Sequence, residues 1–208
     1  MTAARTRARR GEGERLREEI LDVAEDLLVT TGDENAVSIR AIAERVGVTP
    51  PSIYLHFADK ESLLWAVCER QFEIFDVVLE AAGATTDNPL EALRRRGEAY
   101  AHFGLEHPEA YRLMFMGRSM VADRHAETID KSGGPAFTHH VAAVQRAVDT
   151  GALRADLDVL QVAIFLWSGM HGNTSLLISL ATFPWPEREQ LLREMCSLQL
   201  RALVEETP

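Results

Sequence analysis

Apolar residues at Leu16, Ile20, Val23, Leu27 and Leu28 recur at the three- and four-residue spacing of a helix with one buried stripe, and predict a first helix over residues 15–31. Gly32 ends it. Ser38 then stands where an N-cap belongs, and Ile39, Ile42, Ala43 and Val46 form the stripe of a second helix that stops at Gly47. "VTPPSIYLHF", residues 48–57, reads as a short third helix. A long fourth follows over about 59–82, capped by Asp59, with Leu63, Val67, Ile74, Val78 and Ala82 among its inward positions. Gly83, Asn88 and Pro89 mark the clearest break in the chain. Beyond it the spacing predicts helices over residues 89–105, 108–116, 135–150, 157–181 and 186–204, with loops at 131–135 and 183–186. No strand pattern, repeat or low-complexity tract interrupts them, so an all-α fold is expected.

Two helices joined by a tight turn, the second short and polar at its start, suit the corner by which a recognition helix enters the major groove. Many helical proteins contain such a corner, and the chain's formal net charge of -10 argues against DNA at first sight. DNA responds to the distribution of charge, however, rather than to its sum. Residues 5 to 17 carry six arginines against two glutamates, and residues 1 to 60 carry nine basic against eleven acidic side chains, so most of the excess acid lies further along. The acids of the first helix, Glu18, Glu19, Asp22, Glu25 and Asp26, are expected to face largely away from DNA.

"SIRAIAERVGVTPPSIYLHFADKESLL", residues 38–64, resembles the N-terminal domain of the tetracycline-repressor (TetR) family of bacterial regulators. The shared features are an alanine-centred second helix, a Gly-Val turn, a Tyr-x-His-Phe run and a following Lys-Glu-x-Leu, and the resemblance covers about residues 15–80. It implies a three-helix helix-turn-helix domain at 14–60 and a helical ligand-binding and dimerisation domain at 61–208 entered through the long fourth helix; the arginine excess ahead of them marks residues 1–13 as a basic arm, either along the DNA backbone or minor groove or as a solubilising tail. By the same resemblance Thr49, Pro51, Ser52 and Tyr54 face the groove, His56 and Lys60 contact phosphate, and Arg40 reaches a base or the backbone. Their chemistry fits: hydroxyls and ammonium donate to phosphate oxygens, and a guanidinium forks onto guanine O6 and N7. Ile53, Leu55 and Phe57 are expected to hold the three-helix core. Pro50 is expected as a non-helical flank with Pro51 at the first helical position, and Pro50 offers DNA only apolar contact, such as to a thymine methyl. Sequence preference then leans on Arg40, Ser52 and DNA shape.

The rest of the chain holds no G-x-x-x-x-G-K-[ST], G-x-S-x-G or H-E-x-x-H pattern, so an enzyme is not expected. Adjacent His139 and His140 diverge by about 100° on a helix and do not suit one metal, and no cofactor is implied. "LEHPEAYRLMF" and "WSGMHGNTSLL" resemble the C-terminal domain of one TetR subgroup, marked by a Trp and a His-Gly on the penultimate helix. That resemblance implies a homodimer built from the last two helices. Ala163, Gly169, Gly172 and Ser175 would allow close approach, and Leu191, Met195, Leu198 and Ala202 would form an apolar face. It also implies a small-molecule pocket, for which Tyr100, Phe103, Tyr111, Met114, Phe115, Trp167, Met170 and His171 are the candidate lining.

Cys68 and Cys196 are the only cysteines and make no disulfide framework, which suits a reducing compartment. The apolar stretch 159–181 is interrupted by Gln161, His171, Asn173 and Thr174 and reads as a buried helix rather than a membrane span. The basic N-terminus has no apolar segment behind it, so a cytoplasmic protein is expected. The implied function is a sequence-specific transcriptional regulator, a repressor released from a roughly palindromic operator by an unknown small-molecule effector. The alternative is a helical ligand-binding or protein-docking module that has lost DNA binding.

Overall fold

The computed structural model describes residues 12–33, 35–116 and 134–204. The expected arginine arm up to residue 11 and most of the expected 131–135 loop lie outside these residues. All regular structure among them is helical: α1 (Glu12–Thr31), α2 (Ile39–Val46), α3 (Pro50–Ile53), α4 (Lys60–Gly83), α5 (Pro89–Glu106), α6 (Pro108–Met116), α7 (Pro135–Asp149), α8 (Val159–Ser179) and α9 (Arg188–Arg201). No helix among the described residues is long and apolar enough to cross a membrane.

The ends follow capping chemistry. Ser38 Oγ accepts from the Ala41 amide at 3.2 Å, and Asp59 and Ser62 cap α4 reciprocally, at 2.7 and 3.0 Å. Asn88 and Asp158 cap α5 and α8, and Glu187 caps α9. Gly47 closes α2 in the left-handed conformation, φ 78°, with the Val48 amide returning to the Ala43 carbonyl at 2.9 Å.

The chain divides into two compact units. The first holds residues 12–70 with 112–116, the second residues 71–111 with 134–204. In the first, Ile20, Leu21, Ala24 and Leu28 of α1 bury alongside Ile42 and Ala43 of α2 and Ile53, Phe57, Leu63 and Val67. In the second, α5 packs on α7, α8 and α9 around Leu93, Val144, Ala147, Val162, Ala163 and Leu166. α4 departs from its expected stripe. Leu63 and Val67 are buried as expected, but Ile74 and Val78 are exposed, and Gln71, Phe75 and Leu79 take the inward positions. α4 is apolar on more than one face, so spacing alone extends the stripe along the wrong residues.

Candidate functional site

α2 and α3 form the corner. Ile53 and Phe57 are fully or nearly fully buried and α3 packs against α2, which leaves the intervening side chains outward. Arg40, Thr49, Pro51 and Tyr54 are exposed, and Ser52, His56 and Lys60 are half-buried. All seven expected contact residues are therefore accessible in the same unit. Thr49 Oγ1 and Ser52 Oγ lie 3.1 Å apart and share a hydrogen bond across the first turn. The start of α1 lies beside the end of α3, since a Cβ on Gly13 would sit 3.8 Å from His56 Cε1. Arg17 stacks on the Phe57 ring, 5.3 Å from its centroid.

Two expectations change here. Pro50 is itself the first helical residue, with Thr49 as N-cap, and Pro51 is the second. First-turn amides have no partner within a helix, so neither ring removes a hydrogen bond, and the Ser52 amide still reaches the Thr49 carbonyl at 2.8 Å. Leu55 is 71% exposed rather than part of the core. α3 is too short to turn both Ile53 and Leu55 inward, and the chain places Phe57 inside instead. Leu55 thus joins Tyr54 on the outer surface.

The acids of α1 are largely neutralised by arginines of the same unit. Arg70 meets Asp22 at 2.6 Å and Glu18 at 3.9 Å, Arg45 meets Asp26 at 2.8 Å, and Arg15 meets Glu19 at 3.0 Å. Such exposed pairs add little stability, but they remove repulsion toward a polyanion.

In the second unit a polar node sits among aromatic rings. Tyr111 Oη lies 2.7 Å from His171 Nδ1 and 3.1 Å from Tyr100 Oη, and Tyr100 Oη is 3.1 Å from the same nitrogen. Trp167 Nε1–H donates to Tyr100 Oη at 3.3 Å, and Ser175 Oγ is 3.4 Å from His171 Nε2. One neutral arrangement satisfies every member: Trp167 to Tyr100, Tyr100 to Tyr111, Tyr111 to His171 Nδ1, and His171 Nε2–H to Ser175. Burial raises both phenols and lowers the imidazole, which keeps all three uncharged. Phe75 packs edge-on against Tyr100 and Phe103, each centroid at 5.1 Å, and Phe137 lies 5.6 Å from Trp167.

Five of the eight expected lining residues, Tyr100, Phe103, Tyr111, Trp167 and His171, meet in this cluster. Met170 faces Cys196, whose Sγ donates to Met170 Sδ at 3.5 Å. Met114 and Phe115 belong to the first unit. Sequence reasoning misses Phe75 and Phe137, because the α4 stripe is ambiguous and Phe137 lies two residues from a proline start. It also passes over Arg96 and Glu80. Arg96 is 3% exposed and pairs with Glu80 of α4.

His139 and His140 diverge as expected. His139 Nδ1 meets Asp76 at 2.9 Å, and His140 Nε2 meets the Ala163 carbonyl at 3.1 Å, with burial holding its imidazole down at about 4. Asp76, Glu80 and His139 bring three possible metal-ligand atoms within 4.8 Å of one another. The His139–Asp76 and Arg96–Glu80 pairs account for that grouping without an ion.

On the expected dimer face two of the small residues, Ala163 and Gly169, serve the chain itself, while a Cβ at Gly172 would meet nothing within 4 Å. Ala163 is fully buried, and Gly169 makes room for Gln199, which donates to the Phe165 carbonyl at 3.1 Å. A Cβ at Gly169 would fall 2.0 Å from Gln199 Nε2. Of the expected apolar face of α9, Leu198 and Ala202 are exposed and Leu191 and Met195 half-buried, and Leu160, Ile164, Phe165 and Leu176 of α8, with Leu180 at its end, are exposed as well.

Comparison with known proteins agrees with this architecture. A family model described as bacterial regulatory proteins, tetR family, matches residues 20–67. Another, described as tetracyclin repressor-like, C-terminal domain, matches residues 93–198, just over half the chain. The chain belongs to the tetracycline-repressor family. Its relatives include the HTH-type transcriptional activator FasR of Mycolicibacterium smegmatis, 35% identical over 127 residues that span 54% of this chain and 57% of that protein. Among solved structures, the TetR regulator PfmR of Thermus thermophilus is 26% identical with a TM-score of 0.61, covering 88% of this chain and 97% of that one. A Rhodococcus sp. RHA1 protein of unknown function superposes with a TM-score of 0.75 at 22% identity, covering 98% and 100% of the two chains. The N-terminal helix-turn-helix and C-terminal helical domain of the TetR fold are therefore the architecture of this chain.

Proposed function

We propose that this TetR-family protein is a homodimeric, cytoplasmic, sequence-specific transcriptional regulator with a binding rather than a catalytic role, whose DNA affinity a small molecule changes. The surface over α2 and α3 carries the proposal. Arg40, Thr49, Ser52, Tyr54, His56 and Lys60 are accessible around a spine anchored by buried Ile53 and Phe57, and Asp22 and Asp26 of α1 are paired with Arg70 and Arg45. Arg40 and Ser52 read bases, Thr49 and Tyr54 lie along the groove, His56 and Lys60 hold phosphates, and Pro51 and Leu55 offer apolar contact to thymine methyls. The subgroup marked by Trp and His-Gly supplies the Trp167–His171 pair of the effector site.

The dimer is supported by the exposed apolar face of α8 and α9, Leu160 to Leu198, which a lone chain leaves in water. A two-fold dimer presents its recognition helices about 34 Å apart, one DNA turn, and calls for a roughly palindromic operator. Release of DNA by the effector makes the protein a repressor. FasR, named as an activator, favours the second reading, in which the bound protein promotes transcription.

The experiment is capture of sheared genomic DNA by the purified full-length chain, followed by footprinting of the enriched fragments. Two protected half-sites one turn apart support the proposal. Failure to enrich any fragment above a Tyr54→Ala, Lys60→Ala double variant overturns it and favours a protein that has lost DNA binding.

A further inference from the structure

Leu93, Arg96, Tyr100 and Phe103 form one buried stripe of α5. Three are apolar or aromatic, and the fourth is a guanidinium. Its Nη1 donates to a carboxylate oxygen of Glu80, while Nε and Nη2 are sheltered from solvent and have no acceptor among the described residues. Those two nitrogens form the edge of arginine that takes a carboxylate through two parallel N–H···O bonds. Leaving buried donors unsatisfied is costly, and an apolar side chain of similar volume would fill the same space without that cost.

The surroundings suit an incoming acid. Gly83 leaves the arginine stem room, since a Cβ there would come within 3.1 Å of Arg96 Cγ and Cδ. Gln71 Nε2 and Asn173 Nδ2 are further buried nitrogens of the same unit without an acceptor among the described residues, so its unmet demand is for acceptors. One helical turn along α5, Tyr100 packs edge-on against Phe75, which in turn meets Phe103, and accepts from Trp167 Nε1. With Glu80 on Nη1 and Asp76 beside it, a single negative charge fits better than the double charge of a phosphate.

We infer that Arg96 anchors the acidic head group of the effector, an organic monocarboxylate whose apolar body lies against the Tyr100 and Phe75 rings. This rests on reading the second unit as the effector site and is independent of the DNA contacts. The carboxylate takes the Nε–Nη2 edge and Glu80 keeps Nη1.

The test uses the full-length protein with hexanoate, octanoate, decanoate and 4-phenylbutyrate, each beside its uncharged primary amide, read by thermal shift and tryptophan fluorescence. At least one acid is expected to bind about 10- to 100-fold more tightly than its amide, the worth of a charge-assisted bidentate pair. Arg96→Met, checked for native helicity by circular dichroism, should erase that preference, and Arg96→Lys should restore part of it. Glu80→Gln should tighten the acid, because Arg96 then lacks its other anion, whereas a merely structural Arg96–Glu80 pair predicts only lower stability. Equal affinity for acid and amide, an unchanged preference in Arg96→Met, or no stabilisation by any of the acids overturns the inference. Binding of the acid without any change in DNA affinity supports the anion site and sinks the regulatory reading. A change in DNA affinity caused by the amides alone does the reverse.

Discussion

Gly104 is the tightest point of the aromatic site. A Cβ added there would lie 2.5 Å from Thr174 Cγ2 and 2.8 Å from Tyr111 Cδ2, against about 3.5–4.0 Å for a comfortable carbon contact. Neither neighbour yields easily. Thr174 and Tyr111 are both fully buried; Thr174 Oγ1 bonds the Met170 carbonyl at 2.8 Å and Tyr111 Oη is held by His171. Overpacking costs about 1–3 kcal/mol, toward the upper end at about 2–3 kcal/mol where both neighbours are held as here, and the better helix propensity of alanine offsets about 1 kcal/mol. Gly104→Ala should therefore destabilise by about 1–2 kcal/mol, a fall of roughly 2–8 °C in apparent melting temperature for a chain of this size. Thermal melting by circular dichroism reads it directly. Thr174→Ser removes the methyl that collides, so the double variant should recover about half of the loss, a coupling that independent sites do not show. A Gly104→Ala protein that melts at or above the wild type, or a double variant whose losses simply add, would refute the packing described for Tyr111.

Gly47 meets nothing within 4 Å, so its cost of substitution is conformational alone: Gly47→Ala should lose about 1–2 kcal/mol and Gly47→Asn distinctly less, measured by urea unfolding. His140 is held at about 4 by burial against an unfolded value near 6.5, so the folded protein binds fewer protons across that window. Its contribution is complete above about pH 6.5 and is lost as pH falls toward 4, and His140→Gln should flatten the decline in melting temperature between those values. Cys68 and Cys196 are buried and burial pushes the Cys196 thiol up to about 12, so alkylation by iodoacetamide at pH 8 should stay negligible until urea unfolds the chain.

The helices are legible in the sequence because caps and breakers are local: Ser38, Asp59 and Asn88 accept amides two or three residues on, and Gly47 and Pro135 stand at helix ends where spacing puts them. The outward residues of the α2–α3 corner come from the family resemblance, whereas helical period by itself places the buried Ile42 and Ala43 of α2. Period fails where several faces of a helix are apolar. On α4, Ile74 and Phe75 are equally plausible by hydrophobicity, and only the packing of α5 selects Phe75. Leu55 misleads for a related reason, since a four-residue helix has no room for a stripe. Arg96 is invisible because charge on a helix ordinarily means solvent, and its burial depends on Glu80 from another helix. The small residues of α8 suggest a partner chain, yet Gly169 answers to Gln199 of the same chain, a contact between residues thirty apart that no local pattern reveals.

The α2–α3 surface is proposed to grip DNA, with Lys60 on phosphate and Arg40 on bases. Fluorescence anisotropy on a footprinted operator and a scrambled duplex, across a series of salt concentrations, tests both roles together. With these roles, Lys60→Ala weakens binding to both duplexes and reduces the slope of log affinity against log salt by about 1, while Arg40→Ala narrows the gap between operator and scrambled DNA. An unchanged salt slope in Lys60→Ala, together with equal losses on both duplexes in Arg40→Ala, would contradict it.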